Sequence, residues 1–133
     1  MMSIRPQFKL DFAKAGGLVT AVTIDADSGE VLMLAYMNEE AFRLTLATGR
    51  VHYWSRSRNQ LWKKGESSGN MQELVELRVD CDSDAVLVVA RQQGPACHEG
   101  FKSCFFRRVS ADGSLETLGK PLMDPEQMYG GKK

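Results

Sequence analysis

The sequence predicts an α+β fold: one compact domain of mostly antiparallel sheet with one clear short helix. Three observations carry this reading. Most apolar runs are short, and they either alternate with polar residues or are rich in β-branched residues, which is strand patterning. Only one stretch has helical spacing with a stop and a start signal at its ends. Clusters of Gly, Asp and Ser separate the runs by turn-sized intervals. A chain of 133 residues suits a single domain across 1–133, and at this size it can bury a sizeable core without disulfides or metal staples.

Leu18–Ile24 (LVTAVTI) reads as the first strand, Asp25–Gly29 as a turn and Val31–Met37 as the second strand, together a hairpin. Asn38 suits a helix N-cap, Glu39 and Glu40 suit the positive end of the helix dipole, and Gly49 supplies a left-handed stop. Phe42 and Leu46 lie one turn apart on that helix and read as scaffold. Val51–Ser57 is a third strand, with Trp54 assigned to the core, and Arg58–Asn70 a polar loop. Val75, Leu77 and Val79 alternate with Glu76 and Arg78, which is period-2 patterning, and Ala85–Ala90 is a further apolar run. After the loop Gln92–Ser103, Phe105–Val109 is expected to resume the sheet, and Ala111-Asp112-Gly113 to turn the chain into Ser114–Leu118. The tail, residues 119–133, contains two prolines and a Gly-Gly-Lys-Lys end and is expected to be mobile.

Composition narrows the function classes. Lys plus Arg is 17 and Asp plus Glu is 17, so no global basic footprint for nucleic acid exists. No apolar run approaches the roughly 18 residues of a membrane span, and the first residues, Met1 to Pro6, lack the apolar core of a secretory signal. A cytoplasmic protein with reduced thiols is expected. Charge is uneven along the chain: Arg50–Lys64 holds basic residues and no acidic one, while Glu73–Asp84 is acidic apart from Arg78.

Three segments carry chemistry. In Val79-Asp80-Cys81-Asp82-Ser83-Asp84, an extended chain would place Asp80, Asp82 and Asp84 on one face and Cys81 on the other. Crowded carboxylates repel unless a cation neutralises them, and oxygen donors suit magnesium or calcium. An EF-hand is excluded, because its sixth and twelfth positions are Ala85 and Arg91. A solvated acidic edge is the structural alternative. In the second segment, Cys97 and Cys104 are separated by six residues; with Cys81 they make three thiolates, a set that suits zinc with a fourth position open to water. His98 is either that fourth ligand or a proton shuttle. The deaminase pattern H-x-E with P-C-x-x-C is absent, His52 being followed by Tyr53 and Trp54. The third segment offers Ser55, Arg56, Ser57, Arg58, Lys63, Lys64, Ser67, Ser68 and Asn70, the guanidinium, ammonium, hydroxyl and amide groups that hold phosphate. Trp62 within it can stack on a base, and no Walker pattern is present.

Together, Met33–Asn38 (MLAYMN), the segment from Ser55 to Asn70, Asp80–Asp84 (DCDSD) and the Cys97/Cys104 pair resemble the phosphoribosyl-AMP cyclohydrolase family, over roughly residues 17–107. The resemblance implies hydrolysis of the N1–C6 bond of the adenine ring of phosphoribosyl-AMP in L-histidine biosynthesis, with zinc-activated water as nucleophile. It also implies one magnesium per subunit at Asp80, Asp82 and Asp84, and one zinc per subunit at Cys81, Cys97 and Cys104. The chain is expected to form an intertwined homodimer with composite sites, Cys81 coming from the partner subunit, and His98 to carry the proton transfers. Too few residues follow Cys104 for the fused pyrophosphatase domain of some relatives, so the monofunctional form is expected. The competing reading from another class is a zinc-stabilised module that binds RNA or a protein without turnover. Neither a nucleic-acid nor a membrane partner is expected for the enzyme.

Overall fold

The computed structural model describes residues 9–126. Eight strands and one α-helix run in the order β1 (Val19–Asp25), β2 (Val31–Met37), α1 (Glu39–Thr48), β3 (His52–Ser55), β4 (Gln60–Lys63), β5 (Gln72–Val79), β6 (Ala85–Gln92), β7 (Arg107–Val109) and β8 (Leu115–Thr117). A short 3-10 helix, Phe12–Ala15, precedes them. The main sheet has the order β2-β1-β6-β5.

The expected hairpin forms: β1 and β2 pair antiparallel with Val19 opposite Met37. Every second residue of β1 is buried, which turns Val19, Ala21 and Thr23 into the core. The sheet is nevertheless mixed, because β1 and β6 run parallel, Thr20 opposite Ala85. The long crossover through α1, β3, β4 and β5 permits this, as parallel neighbours need a connection of a dozen residues or more. The Asn38 side chain accepts a hydrogen bond from the Ala41 amide at 2.8 Å and so caps α1, and Gly49 ends it at φ +73°. Ala41, Phe42 and Thr45 form its buried face, with Leu46 packed at the edge.

Three sequence expectations are corrected here. The polar loop Arg58–Asn70 contains β4, whose residues pair with β3 from Ser55–Gln60 to His52–Lys63; two strands this short are stabilised by each other and leave little periodic signal. Val75 does not continue the inward set of Leu77 and Val79. A bulge between Leu74 and Glu76 turns Val75 to solvent, 44% exposed, and gives its inward place to Leu74. Phe105–Val109 does not rejoin the sheet. Its last three residues pair with β8 in a separate ribbon closed over Asp112 and Gly113.

The core gathers Val19, Ala21, Leu32, Met37, Val51, Tyr53, Val86 and Val88 between the sheet, α1 and β3. Fully burying the valine, leucine and methionine side chains among them stabilises by about 1.5–3 kcal/mol each. Trp54, assigned to the core, is only partly buried, while its neighbour Tyr53 is wholly enclosed. Within the core a polar chain runs through buried groups. The Tyr53 hydroxyl lies 2.6 Å from Thr23 Oγ1 and donates to Gln72 Oε1 at 2.6 Å, and Gln72 Nε2 donates to Gln92 Oε1 at 2.8 Å. Of the tail, Leu122 and Met123 donate their amides to the Gly100 carbonyl at 2.8 and 3.3 Å. Residues 127–133 and the Met1–Pro6 segment lie outside the described residues. Among the described residues, no helix is long and apolar enough to cross a membrane.

Candidate active site

The Asp80–Asp84 segment is a hairpin turn between β5 and β6, not the extended stretch its alternation suggested. Asp80 donates its amide to Ala85 at 3.1 Å and accepts the Ser83 amide on its carbonyl at 3.2 Å, while Ser83 is left-handed at φ +63°. The strand-parity reason for grouping the aspartates, and for opposing Cys81 to them, therefore fails. The grouping itself holds by another route. Asp80 Oδ1 accepts the Asp84 and Ala85 amides at 3.0 and 3.1 Å, which folds the turn over its own first residue. One ligand atom from each of Asp80, Asp82 and Asp84 lies within 4.8 Å of the others.

A cation already meets this turn. Lys14 Nζ lies 2.8 Å from Asp82 Oδ2 and 3.1 Å from Asp84 Oδ2. Hydrogen bonds from Lys14, then from Asp84 and Asp80, hold the Asp82 carboxyl down to about 2, and the two carboxylates push Lys14 above the usual lysine range. Restricted solvation and the adjoining Asp84 carboxyl hold Asp80 above its usual value. An all-oxygen donor set with a positive group seated on two members fits a hard divalent cation.

The second group is built by the loop after β6. Ala96 and Cys97 donate their amides to Lys102 and Phe101 at 3.0 and 3.1 Å, so the loop folds back on itself. It is hooked to the β2 edge where the Ser103 hydroxyl donates to Val31 O and the Cys104 amide to Leu32 O, both at 2.7 Å. Lys102 Nζ adds ion pairs to Asp25 at 3.1 Å and Glu30 at 3.3 Å. The folded loop brings the Cys97 and Cys104 thiols near enough for each to feel the other's charge. Cys97 is buried, and its sulfur accepts the Glu99 amide at 3.4 Å. Cys104 is exposed as a residue, yet desolvation around its sulfur and the Cys97 charge push its thiol up to about 11, against the pull of Lys64. Two close sulfurs fit a soft cation. Among the described residues the aspartates are the one group of three such donors, so Cys81 does not complete a three-thiol set within the chain. His98 follows Cys97 on the exposed side of the loop.

The basic segment is divided by the strand that sequence reasoning missed. Arg56, Ser57 and Arg58 lie in the exposed β3–β4 turn, and Ser55, the half-buried last residue of β3, accepts the Arg58 amide on its Oγ at 3.2 Å. Lys63, Lys64, Ser67, Ser68 and Asn70 lie at the other end of this ribbon, about 10 Å away at roughly 3.3 Å per residue. Arg56 covers the Tyr36 ring at 4.2 Å, and Trp62 packs against Tyr53 with centroids 5.0 Å apart. Gly65 turns the loop at φ +86°; a Cβ there would lie 2.5 Å from the Met71 nitrogen, so only glycine fits. Asn70 is buried with its Nδ2 unpartnered.

Lys64 points inward. Its ammonium donates to Ala96 O, the residue before Cys97, and the loss of solvent lowers its pKa while Cys104 and Cys97 oppose the fall. Neither this direction nor the part played by Lys14 had a local signal; Lys14 is 68 residues from Asp82.

This α+β domain carries a carboxylate turn at one sheet end and a thiol pair on a loop hooked to the β2 edge, oxygen and sulfur donors of the kinds that can hold metal ions. The sequence model described as phosphoribosyl-AMP cyclohydrolase matches residues 33–106. A phosphoribosyl-AMP cyclohydrolase of Granulibacter bethesdensis is 61% identical over 114 residues, covering 86% of this chain and 89% of that protein. One of Desulfotalea psychrophila is 57% identical over 126 residues, covering 93% and 98%, and one of Nitratidesulfovibrio vulgaris 52% identical over 123 residues, covering 92% and 97%. The chain belongs to the phosphoribosyl-AMP cyclohydrolase family and is an enzyme of that type.

Proposed function

We propose that this chain opens the purine ring of phosphoribosyl-AMP between N1 and C6, giving the phosphoribosyl-formimino imidazole carboxamide nucleotide, as a step of L-histidine biosynthesis in the cytoplasm. The observation that carries the reading is the paired Cys97 and Cys104 thiols beside Lys64, in a chain of this family.

Cys97 and Cys104 would hold zinc, with the third thiol, Cys81, supplied by the partner subunit of an intertwined homodimer. The partition of the three cysteines between two places in one chain supports that arrangement. Zinc held there lowers the pKa of a bound water towards neutrality. His98, exposed on the same loop, would take a proton from the attacking water and return one to the leaving nitrogen as general base and then general acid. Asp80, Asp82 and Asp84 would hold magnesium, neutralising a phosphate or orienting the ring. Arg56 and Arg58 at one end of the ribbon, and Lys63, Ser67, Ser68 and Asn70 at the other, are spaced for the separate phosphoribosyl arms of one substrate, with Ser55 and Ser57 beside the arginines and Trp62 against the base.

Purified protein incubated with phosphoribosyl-AMP should change the ultraviolet spectrum as the ring opens, with the product confirmed by mass. Absence of turnover in zinc- and magnesium-loaded protein that binds RNA tightly would replace the enzyme reading with a binding module.

A further inference from the structure

We infer that Lys14 is a tethered counter-cation of the Asp80–Asp82–Asp84 turn that a divalent ion must displace. The inference rests on the reading of this turn as a divalent-cation site, and adds to it a residue that sets its affinity.

Lys14 is delivered by an anchored element. The Asp11 amide donates to the Ser83 carbonyl of the aspartate turn at 2.6 Å, and the Asp11 side chain caps the 3-10 helix by accepting the Lys14 amide at 3.1 Å. Gly17 closes the helix by donating to Phe12 O at 2.6 Å. Phe12 stacks edge-on against Phe42 of α1 with centroids 6.3 Å apart, which ties the element to the core. From that base the ammonium reaches two carboxylates at once, at 2.8 and 3.1 Å. A divalent ion needs carboxylate oxygens at about 2.0–2.6 Å, so it competes with the ammonium for lone pairs of Asp82 and Asp84. Its approach is also opposed by a fixed positive charge. Lys14 has a second consequence: with no metal bound it relieves the repulsion among three carboxylates that would otherwise strain the turn.

Both ion pairs are partly solvent-exposed, so their competition is modest. Removing the charge should tighten divalent binding about three- to ten-fold at fixed ionic strength.

The test titrates the zinc-loaded full chain with magnesium and with manganese, by calorimetry and by manganese electron paramagnetic resonance, in wild type, Lys14→Met, Lys14→Arg and Asp82→Asn. Lys14→Met should bind several-fold tighter, Lys14→Arg should stay close to wild type, and Asp82→Asn should bind weakest. A second reading follows lysine labelled with carbon-13 at Cε. The resonance that disappears in Lys14→Arg should move to the free-lysine position as magnesium saturates. Binding that depends on Asp82 but is unchanged or weakened in Lys14→Met, with a stationary Lys14 resonance, would overturn the competition alone. If no chain bound a divalent ion in an Asp82-dependent way, the cation site itself would be refuted and the inference with it.

Discussion

Tyr53→Phe removes one oxygen from the centre of the core, and its effect can be worked from the contacts. The Tyr53 hydroxyl is fully buried and donates to Gln72 Oε1, so its contact with Thr23 Oγ1 must be filled by the threonine proton. Loss of the oxygen leaves the Thr23 proton and Gln72 Oε1 without partners in a place water does not reach. Gln72 cannot simply turn over, because its Nε2 is held by Gln92 Oε1 at 2.8 Å and meets Met33 Sδ at 3.3 Å. Each orphaned buried group costs about 1–3 kcal/mol, and the gain from a more apolar ring offsets part of that, so a net loss of about 2–4 kcal/mol is expected. At the few degrees per kcal/mol usual for this size, Tm should fall by roughly 8–16 °C. Urea unfolding of zinc-loaded Tyr53→Phe, Thr23→Val and the double variant measures it. The double variant should lose clearly less than the sum of the singles, since removing both partners leaves fewer orphans. A loss below about 0.5 kcal/mol in Tyr53→Phe, the range of an ordinary surface change, would refute the network.

Further outcomes follow from the same contacts. The Ser28 hydroxyl, and after it Lys102, hold Asp25 below its ordinary value. A depressed carboxyl contributes stability that is present above its unfolded pKa of about 3.9 and lost as pH falls through the folded value. Asp25→Asn should therefore flatten the acid limb of stability against pH, and limbs that stay parallel below about pH 4 would count against the pair. Asp82→Asn should weaken magnesium dependence of turnover while elemental analysis still finds zinc; zinc lost with the aspartate would invert the ligand assignment. Gly65→Ala should destabilise by about 1–3 kcal/mol, because φ +86° and a Cβ against Met71 backbone strain the loop together; unchanged urea unfolding would contradict this. Equal mixtures of inactive Cys81→Ser and Cys97→Ser chains should regain about a quarter of wild-type sites if each zinc takes ligands from two subunits, and none despite proven exchange if the site lies within one chain.

The fold was legible where local chemistry decides it. Asn38 and Gly49 bound α1 as their capping chemistry requires, the β-branched run gave β1, and the apolar runs gave β2 and β6. The parallel pairing of β1 with β6 was not legible, because both strands are apolar enough to pair either way and the crossover is decided by packing. Strand β4 escaped notice since Gln60–Lys63 offers only two apolar residues, stabilised by facing Tyr53 and Trp54. The aspartates were grouped correctly for a wrong reason: backbone hydrogen bonds to Asp80, not strand alternation, gather them. Lys64 reads as a phosphate-binding residue from its basic neighbours; that its ammonium donates to Ala96 O, beside the thiol loop, has no local signal. The contact of Lys14 with Asp82 depends on the whole sheet being in place and leaves no trace in either segment.

The central claim is that Cys97 and Cys104 hold the metal on which ring opening depends. The most direct test measures zinc content and phosphoribosyl-AMP turnover in the same preparations of wild type, Cys97→Ser and Cys104→Ser. About one zinc per chain with turnover in the wild type, and loss of both together in each variant with far-ultraviolet circular dichroism unchanged, is the predicted result. Full turnover in a zinc-free Cys97→Ser protein would contradict it.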